Sequence, residues 1–138
     1  MEGSSLVALN EVFRDGIALS LPVPDGTTSG KPLRIGILNA VAETDEGGAT
    51  VVVNGITQSS GGVGNKDNFA SVALGKVWEL DVTGALTVGQ AVYIKGDNTL
   101  TATATGNFLF GAALRAKGTG TGDAIVKILQ PGQTAASA

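Results

Sequence analysis

Lys76-Val77-Trp78-Glu79-Leu80-Asp81-Val82 sets apolar Trp78, Leu80 and Val82 on the even positions and Val77, Glu79 and Asp81 on the odd ones. Residues two apart share a face only in a strand, so this stretch is a strand with one face buried and Trp78 as its expected core anchor. The same period recurs downstream. Val88 to Lys95 and Leu100 to Thr105 flank the turn cluster Gly96-Asp97-Asn98 and predict a β-hairpin, with Thr99, Thr101, Thr103 and Thr105 opposing Leu100, Ala102 and Ala104. Phe108, Phe110, Ala112 and Leu114 define one face of the next strand, and Ala124, Val126 and Ile128 alternate with Ile125, Lys127 and Leu129 in the last. Between them, Lys117 to Asp123 alternates Gly with Thr and has to turn.

Upstream, Ile17, Leu19, Leu21 and Val23 mark a strand whose Pro22 cannot donate to a ladder and so predicts an edge position. Asp25 to Gly30 supplies turn residues, after which Leu33, Ile35 and Ile37 open a single second strand running to about Val41. Glu43 to Gly48 is an acidic, Gly-ended loop, and Thr50 to Val53 predicts a third, short strand. Gly55 to Asn68, broken repeatedly by Gly and Asn, reads as an exposed loop. Helical spacing is best at Ser5 to Phe13, through Leu6, Leu9 and Phe13, which allows one short helix at most. About eight short strands with Gly-rich connections give an all-β fold, a small antiparallel barrel or sandwich. The organisation that follows is an extended N-terminal arm over residues 1–15, a single β domain over 16–130 with a loop inserted at about 50–67, and a flexible tail over 131–138 with no group expected to anchor it.

Composition removes most chemistries. Glycine supplies 21 of 138 residues, and charged residues only 15%, against usual shares of about 7% and about 25%. There is no Cys and no His, which excludes disulfides, thiol nucleophiles, Cys/His zinc sites and Ser-His or Cys-His catalytic pairs. Nine basic against twelve acidic residues leave no excess positive charge for phosphates, so nucleic acid and anionic membranes lose their usual attraction. No stretch approaches the roughly 18 apolar residues of a membrane-spanning helix, and the first residues lack the charged and apolar regions of an export signal.

The remaining motifs weaken on inspection. Gly61-Gly62-Val63-Gly64-Asn65-Lys66 resembles a phosphate loop but lacks the Gly-Lys-Ser/Thr that opens a helix. Gly118-Thr119-Gly120-Thr121-Gly122 enters a strand where a dinucleotide fingerprint would enter a helix. Asp25-Gly26-Thr27 and Asp81-Val82-Thr83-Gly84 read as turns, as do Asp97-Asn98 and Asp123. Glu43, Asp45 and Glu46 lack the ligand spacing of a calcium loop and read as a solvated acidic loop. Ser29 and Lys31 have no third group to make them a nucleophilic pair. No catalytic, cofactor or metal site emerges, and the chain reads as a non-enzyme.

The order of elements carries a resemblance. Leu19-Ser20-Leu21-Pro22-Val23-Pro24, Thr28-Ser29-Gly30-Lys31-Pro32-Leu33-Arg34-Ile35-Gly36, Gly75-Lys76-Val77-Trp78-Glu79-Leu80, Leu86-Thr87-Val88-Gly89-Gln90-Ala91-Val92-Tyr93, Leu100-Thr101-Ala102-Thr103, Gly106-Asn107-Phe108-Leu109-Phe110-Gly111-Ala112-Ala113 and Gly122-Asp123-Ala124-Ile125-Val126-Lys127-Ile128, taken together over about residues 10–130, resemble the capsid decoration (cement) proteins of tailed bacteriophages. That family was long described as a domain of unknown function and sometimes labelled a recombinase, a label no residue pattern here supports. The chain departs from the family in the insertion at about Thr50 to Asp67. The resemblance implies a β-tulip-like barrel domain that binds the outer capsid surface as a homotrimer at three-fold and quasi-three-fold positions and clamps the major capsid protein. It implies a virion location after synthesis in the host cytoplasm, with no cofactor, nucleic acid or membrane partner. The arm's Leu6, Val7, Leu9, Val12, Phe13 and Arg14 are the expected capsid contacts, ordering on binding, and the Gly55 to Asn68 loop is a second candidate contact. The other reading is a phage receptor- or carbohydrate-binding β module, which requires a concave aromatic patch.

Overall fold

The computed structural model describes residues 18–47, 50–59 and 67–138. They hold eleven strands: β1 (Ala18–Pro22), β2 (Pro32–Ile35), β3 (Leu38–Ala42), β4 (Thr50–Val53), β5 (Ile56–Ser59), β6 (Phe69–Ala73), β7 (Val77–Thr83), β8 (Ala91–Ile94), β9 (Leu100–Thr101), β10 (Phe108–Ala113) and β11 (Thr121–Ile128). The described residues include no helix, and the helical spacing at Ser5 to Phe13 lies outside them. The fold is all-β, as the alternation requires. β1, β6, β3 and β2 form an open four-stranded sheet, β10, β11, β7, β9 and β8 close into a barrel, and β4 and β5 form a separate ribbon.

The barrel is built from the stretches with the clearest alternation. In β7, Leu80 and Val82 are buried while Val77, Glu79, Asp81 and Thr83 are exposed; in β11, Ala124, Val126 and Ile128 are buried. They join Leu86, Val92, Ile94, Leu100, Phe110 and Ala113 in one core, against which Trp78 and Phe108 pack half-buried. Trp78 satisfies its indole by donating from Nε1 to the Gly75 carbonyl at 2.9 Å. The barrel closes by a short parallel pairing, Val82 with Leu100 and Thr83 with Thr101, its other pairings being antiparallel, as expected. The hairpin around Gly96-Asp97-Asn98 forms as expected, with Tyr93 opposite Thr101 and Ile94 opposite Leu100.

β10 departs from simple alternation. Its pairing with β8 slips between Leu109 and Gly111, a bulge that puts an extra residue, Phe110, into the barrel core. Ala113 is then buried and Leu114 exposed, where alternation put Leu114 on the face of Phe110. Gly111 is needed at the crossing, since a Cβ there would lie 2.3 Å from the Lys127 carbonyl oxygen and 2.8 Å from Val126 Cγ1.

The open sheet differs from its sequence reading in two places. The stretch from Leu33 to Val41 is two strands, because Gly36, at φ 62°, and Ile37 form the Gly-first turn of a tight hairpin that pairs Ile35 with Leu38. The second difference is β6, where the sequence pattern predicts no strand; it pairs with β1 along Ala18–Pro22 and with β3 at Val41 and Ala42. β1 is an edge strand, as Pro22 demanded. The core of this sheet is small: Val23, Leu33, Ala40, Ala42, Ala70 and Val72. Val41 points the other way, into the barrel core.

Asn39, buried between the two sheets, joins them. Its Nδ2 donates to the carbonyls of Leu109 at 2.9 Å and Leu129 at 2.7 Å, and its backbone N–H donates to Gln130 Oε1 at 2.9 Å. Gln130 Nε2 donates in turn to the Asn39 and Leu74 carbonyls at 2.6 and 2.7 Å. Arg34 of β2 lies 3.7 Å above the Phe108 ring and donates to the Gln133 carbonyl. The segment 131–138 therefore has anchoring groups where the sequence pattern suggests none: Leu109 N–H donates to Gln133 Oε1 at 2.8 Å, Gly106 N–H to the Ser137 carbonyl and Ser137 N–H to the Asn107 carbonyl, each at 2.8 Å.

Candidate functional site

The expected arm contacts, Leu6, Val7, Leu9, Val12, Phe13 and Arg14, lie outside the described residues, as does the phosphate-loop-like Gly61 to Lys66. The described surface offers three features: the connection between β3 and β6, a groove between sheet and barrel, and the outer face of β7 and β11.

The acidic stretch Glu43 to Glu46 opens the connection, and it is a stitched stem, not the solvated loop expected. Glu46 is only 9% exposed. Its Oε1 accepts from Gly26 N–H at 2.9 Å, and Asp45 Oδ1 accepts from Ser29 N–H at 2.9 Å. Ser29 Oγ donates to the Glu43 carbonyl at 3.1 Å, which engages the hydroxyl that a Ser29–Lys31 pair would have needed. Carboxylates thus satisfy backbone amides of the turn at residues 25–30 that its own carbonyls leave unpaired. The connection then forms β4 and β5, so the loop expected at Gly55 to Asn68 begins as a strand. Asn54 and Gly55, at φ 52° and 79°, make the two-residue turn; Asn-Gly is the strongest short hairpin signal a sequence can carry, and here the glycines that follow it mask it.

The groove, of about 570 Å³, runs between Gly30-Lys31-Pro32 of the open sheet and Glu79, Asp81 and the β8–β9 turn of the barrel. Its charge is mixed, with Lys31 and Lys95 facing Glu79, Asp81 and Asp97, and no aromatic side chain lines it. Asp97 Oδ1 accepts from the Thr99 hydroxyl at 2.6 Å and amide at 3.1 Å. Those bonds, the hydroxyl first, hold its carboxyl below the ordinary carboxylate range.

On the barrel's outer face the structure brings together two acids, Asp81 from the alternating strand and Asp123, which reads in the sequence as a turn residue. Asp81 of β7 stands directly opposite Asp123 of β11. Asp123 is pushed up by a hydrogen bond shared with Asp81, and then by repulsion from Glu79 and Asp81. Alternation alone puts Asp81 outward; only register makes Asp123 its partner. At the barrel end, Lys117 Nζ donates to the carbonyls of Gly84, Gly118 and Gly120 at 3.0, 2.9 and 2.6 Å, so the Gly-rich turn at 118–122 is a closed cage around an ammonium. Among the described residues no group of three or more acids is placed to hold a metal ion.

Fold and surface together define a small all-β protein of an open sheet, a closed barrel and a two-stranded ribbon. The family model described as phage cement protein matches residues 13–128, and the chain belongs to that family. The match spans the open sheet, the ribbon and the barrel. No curated protein and no solved structure matches the chain. As a phage cement protein it is a structural component of the capsid.

Proposed function

We propose that the protein binds the outer face of the phage head as a homotrimer at three-fold and quasi-three-fold positions and stabilises the lattice of the major capsid protein, without catalytic activity, cofactor or nucleic-acid contact. The observation that carries this reading is the family match, which covers both sheets. Symmetric repetition fits it: many modest contacts, multiplied around a three-fold axis and over a shell, give tight occupancy without a strong single site. The arm over residues 1–15, through Leu6, Val7, Leu9, Val12, Phe13 and Arg14, is our proposed contact with the shell. A carbohydrate-binding reading expects aromatic platforms, and the groove between sheet and barrel has none.

Light scattering of the purified protein, followed by co-sedimentation with undecorated heads, tests the proposal. A trimer that binds heads saturably is the expected result, with occupancy lost on deleting residues 1–13. A protein that ignores heads overturns the capsid reading, and unchanged occupancy after the deletion overturns the role of the arm.

A further inference from the structure

The connection between β3 and β6 is far longer than its ends require. The two strands are antiparallel neighbours, Val41 opposite Ala73 and Ala42 opposite Val72, a relation that a two-residue turn can serve. Instead the chain leaves the sheet at Glu43 and returns at Phe69, building β4 and β5 on the way. Connections beyond about 12–15 residues are uncommon in a compact domain unless they carry secondary structure of their own, and this one supplies two strands. The stem of this one is pinned: Glu43 N–H donates to the Ser71 carbonyl at 2.7 Å, Gly47 N–H to Phe69 at 2.6 Å and Asn68 N–H to Gly47 at 3.0 Å.

The ribbon itself has an unusual composition for an element with two open edges. Thr50 to Ser59 contains no charged residue and no proline, and its register runs without a bulge from Thr50 opposite Ser59 to Val53 opposite Ile56. Ile56, beside the turn, is 61% exposed. Lysine, proline and bulges are the devices that keep an open strand edge from pairing with another chain. All are missing here, and among the described residues β4 and β5 pair only with each other. A two-stranded ribbon is marginal alone in water, and scarcity of charge is the compositional mark of an interface core.

We propose that the β4–β5 ribbons of neighbouring copies pair edge to edge, so that the occupant of each open edge is a second copy of this chain. Each ribbon has two different edges, and a cyclic trimer needs two different patches per subunit. Setting β4 of one copy antiparallel to β5 of the next, three times, closes a six-stranded ring that leaves no edge open. A partner of strong charge would find no counter-charge on the ribbon, whereas an identical copy offers a matching backbone and an equally uncharged surface. This inference rests on the trimer proposed above and assigns its contact.

The register supplies a selective test. In a two-residue hairpin the closing pair, Val53 and Ile56, exchanges its bonds within the ribbon, so the N–H groups of Val52 and Thr57 point to the open edges. Val52→Pro and Thr57→Pro each remove an edge donor while leaving the ribbon's own bonds in place, and Thr57→Lys puts a charge at the same edge without a proline. The 138-residue protein and the three variants are compared by light scattering for mass and by circular dichroism for folded strand content. The expected result is a trimeric wild type and variants whose mass falls to one third with the strand signal retained. If a proline variant loses its strand signal, Thr57→Lys decides alone. A trimeric wild type with trimeric variants overturns the ribbon contact and leaves the trimer standing; a monomeric wild type overturns both, and head binding is then read separately by co-sedimentation.

Discussion

The barrel and the open sheet divide the molecule between large and small side chains. The barrel encloses Phe110, Ile94, Leu80, Leu100 and a set of valines, and its closure gives each of its strands two neighbours. The open sheet packs Ala40, Ala42 and Ala70 around Leu33, Val23 and Val72, keeps two edges, and sends out the long connection that carries the ribbon. Buried apolar area scales with side-chain size, so the barrel is expected to contribute most of the stability. The open sheet has a core of fewer and smaller side chains and gives rise to the connection that carries the ribbon.

A substitution in the barrel core is the strongest way to break that comparison. Phe110→Ala is expected to cost about 4 kcal/mol in urea unfolding, and Val72→Ala in the open sheet about half of that; equal costs would remove the distinction between barrel and open sheet. Gly111→Ala follows, at about 3 kcal/mol, because its Cβ meets backbone that cannot move without parting β10 from β11. Thermal denaturation reads it directly, and an unchanged midpoint would mean the bulge adapts.

At the joint, Asn39→Ala leaves the part-buried Leu109 and Leu129 carbonyls without this donor and is expected to cost about 2 kcal/mol. It also sharpens the comparison, since loosening the joint should separate the unfolding of the open sheet from that of the barrel, seen as a broadened or split transition whose barrel part is reported by Trp78 fluorescence. The smallest effect is Asp123→Asn. The folded state holds the Asp123 proton more tightly than the unfolded chain does, so its contribution is fully present below the ordinary carboxylate range and is lost as pH rises through the raised value. The substitution is therefore expected to raise the melting temperature slightly at neutral pH and to leave it unchanged in acid. A gain of the same size at both pH values would mean that repulsion from Asp81 and Glu79 is not the cause.

The same division explains what the amino-acid sequence disclosed. β7 and β11 alternate without interruption and bury residues of distinct size, so their faces were readable from Trp78, Leu80, Val82, Ala124, Val126 and Ile128 alone. The open sheet hid its structure in two ways. Gly36-Ile37 continued the apolar alternation through a turn, merging β2 with β3, and β6 offered only Phe69, Val72 and small residues, too weak a pattern to mark a strand. The bulge at Phe110 shifted a register that alternation treats as fixed. For the candidate contacts, Asn54-Gly55 was a visible hairpin signal overshadowed by the glycines after it. The stitching of Glu46 to Gly26 and the pairing of Asp81 with Asp123 depend on long-range register, which one sequence does not display.

Adding the purified protein to undecorated heads and measuring the temperature at which they disrupt tests the central claim most directly. The expected result is saturable occupancy accompanied by a rise in disruption temperature that tracks the fraction of sites filled. Heads that remain unoccupied, or that fill without any rise, would contradict it.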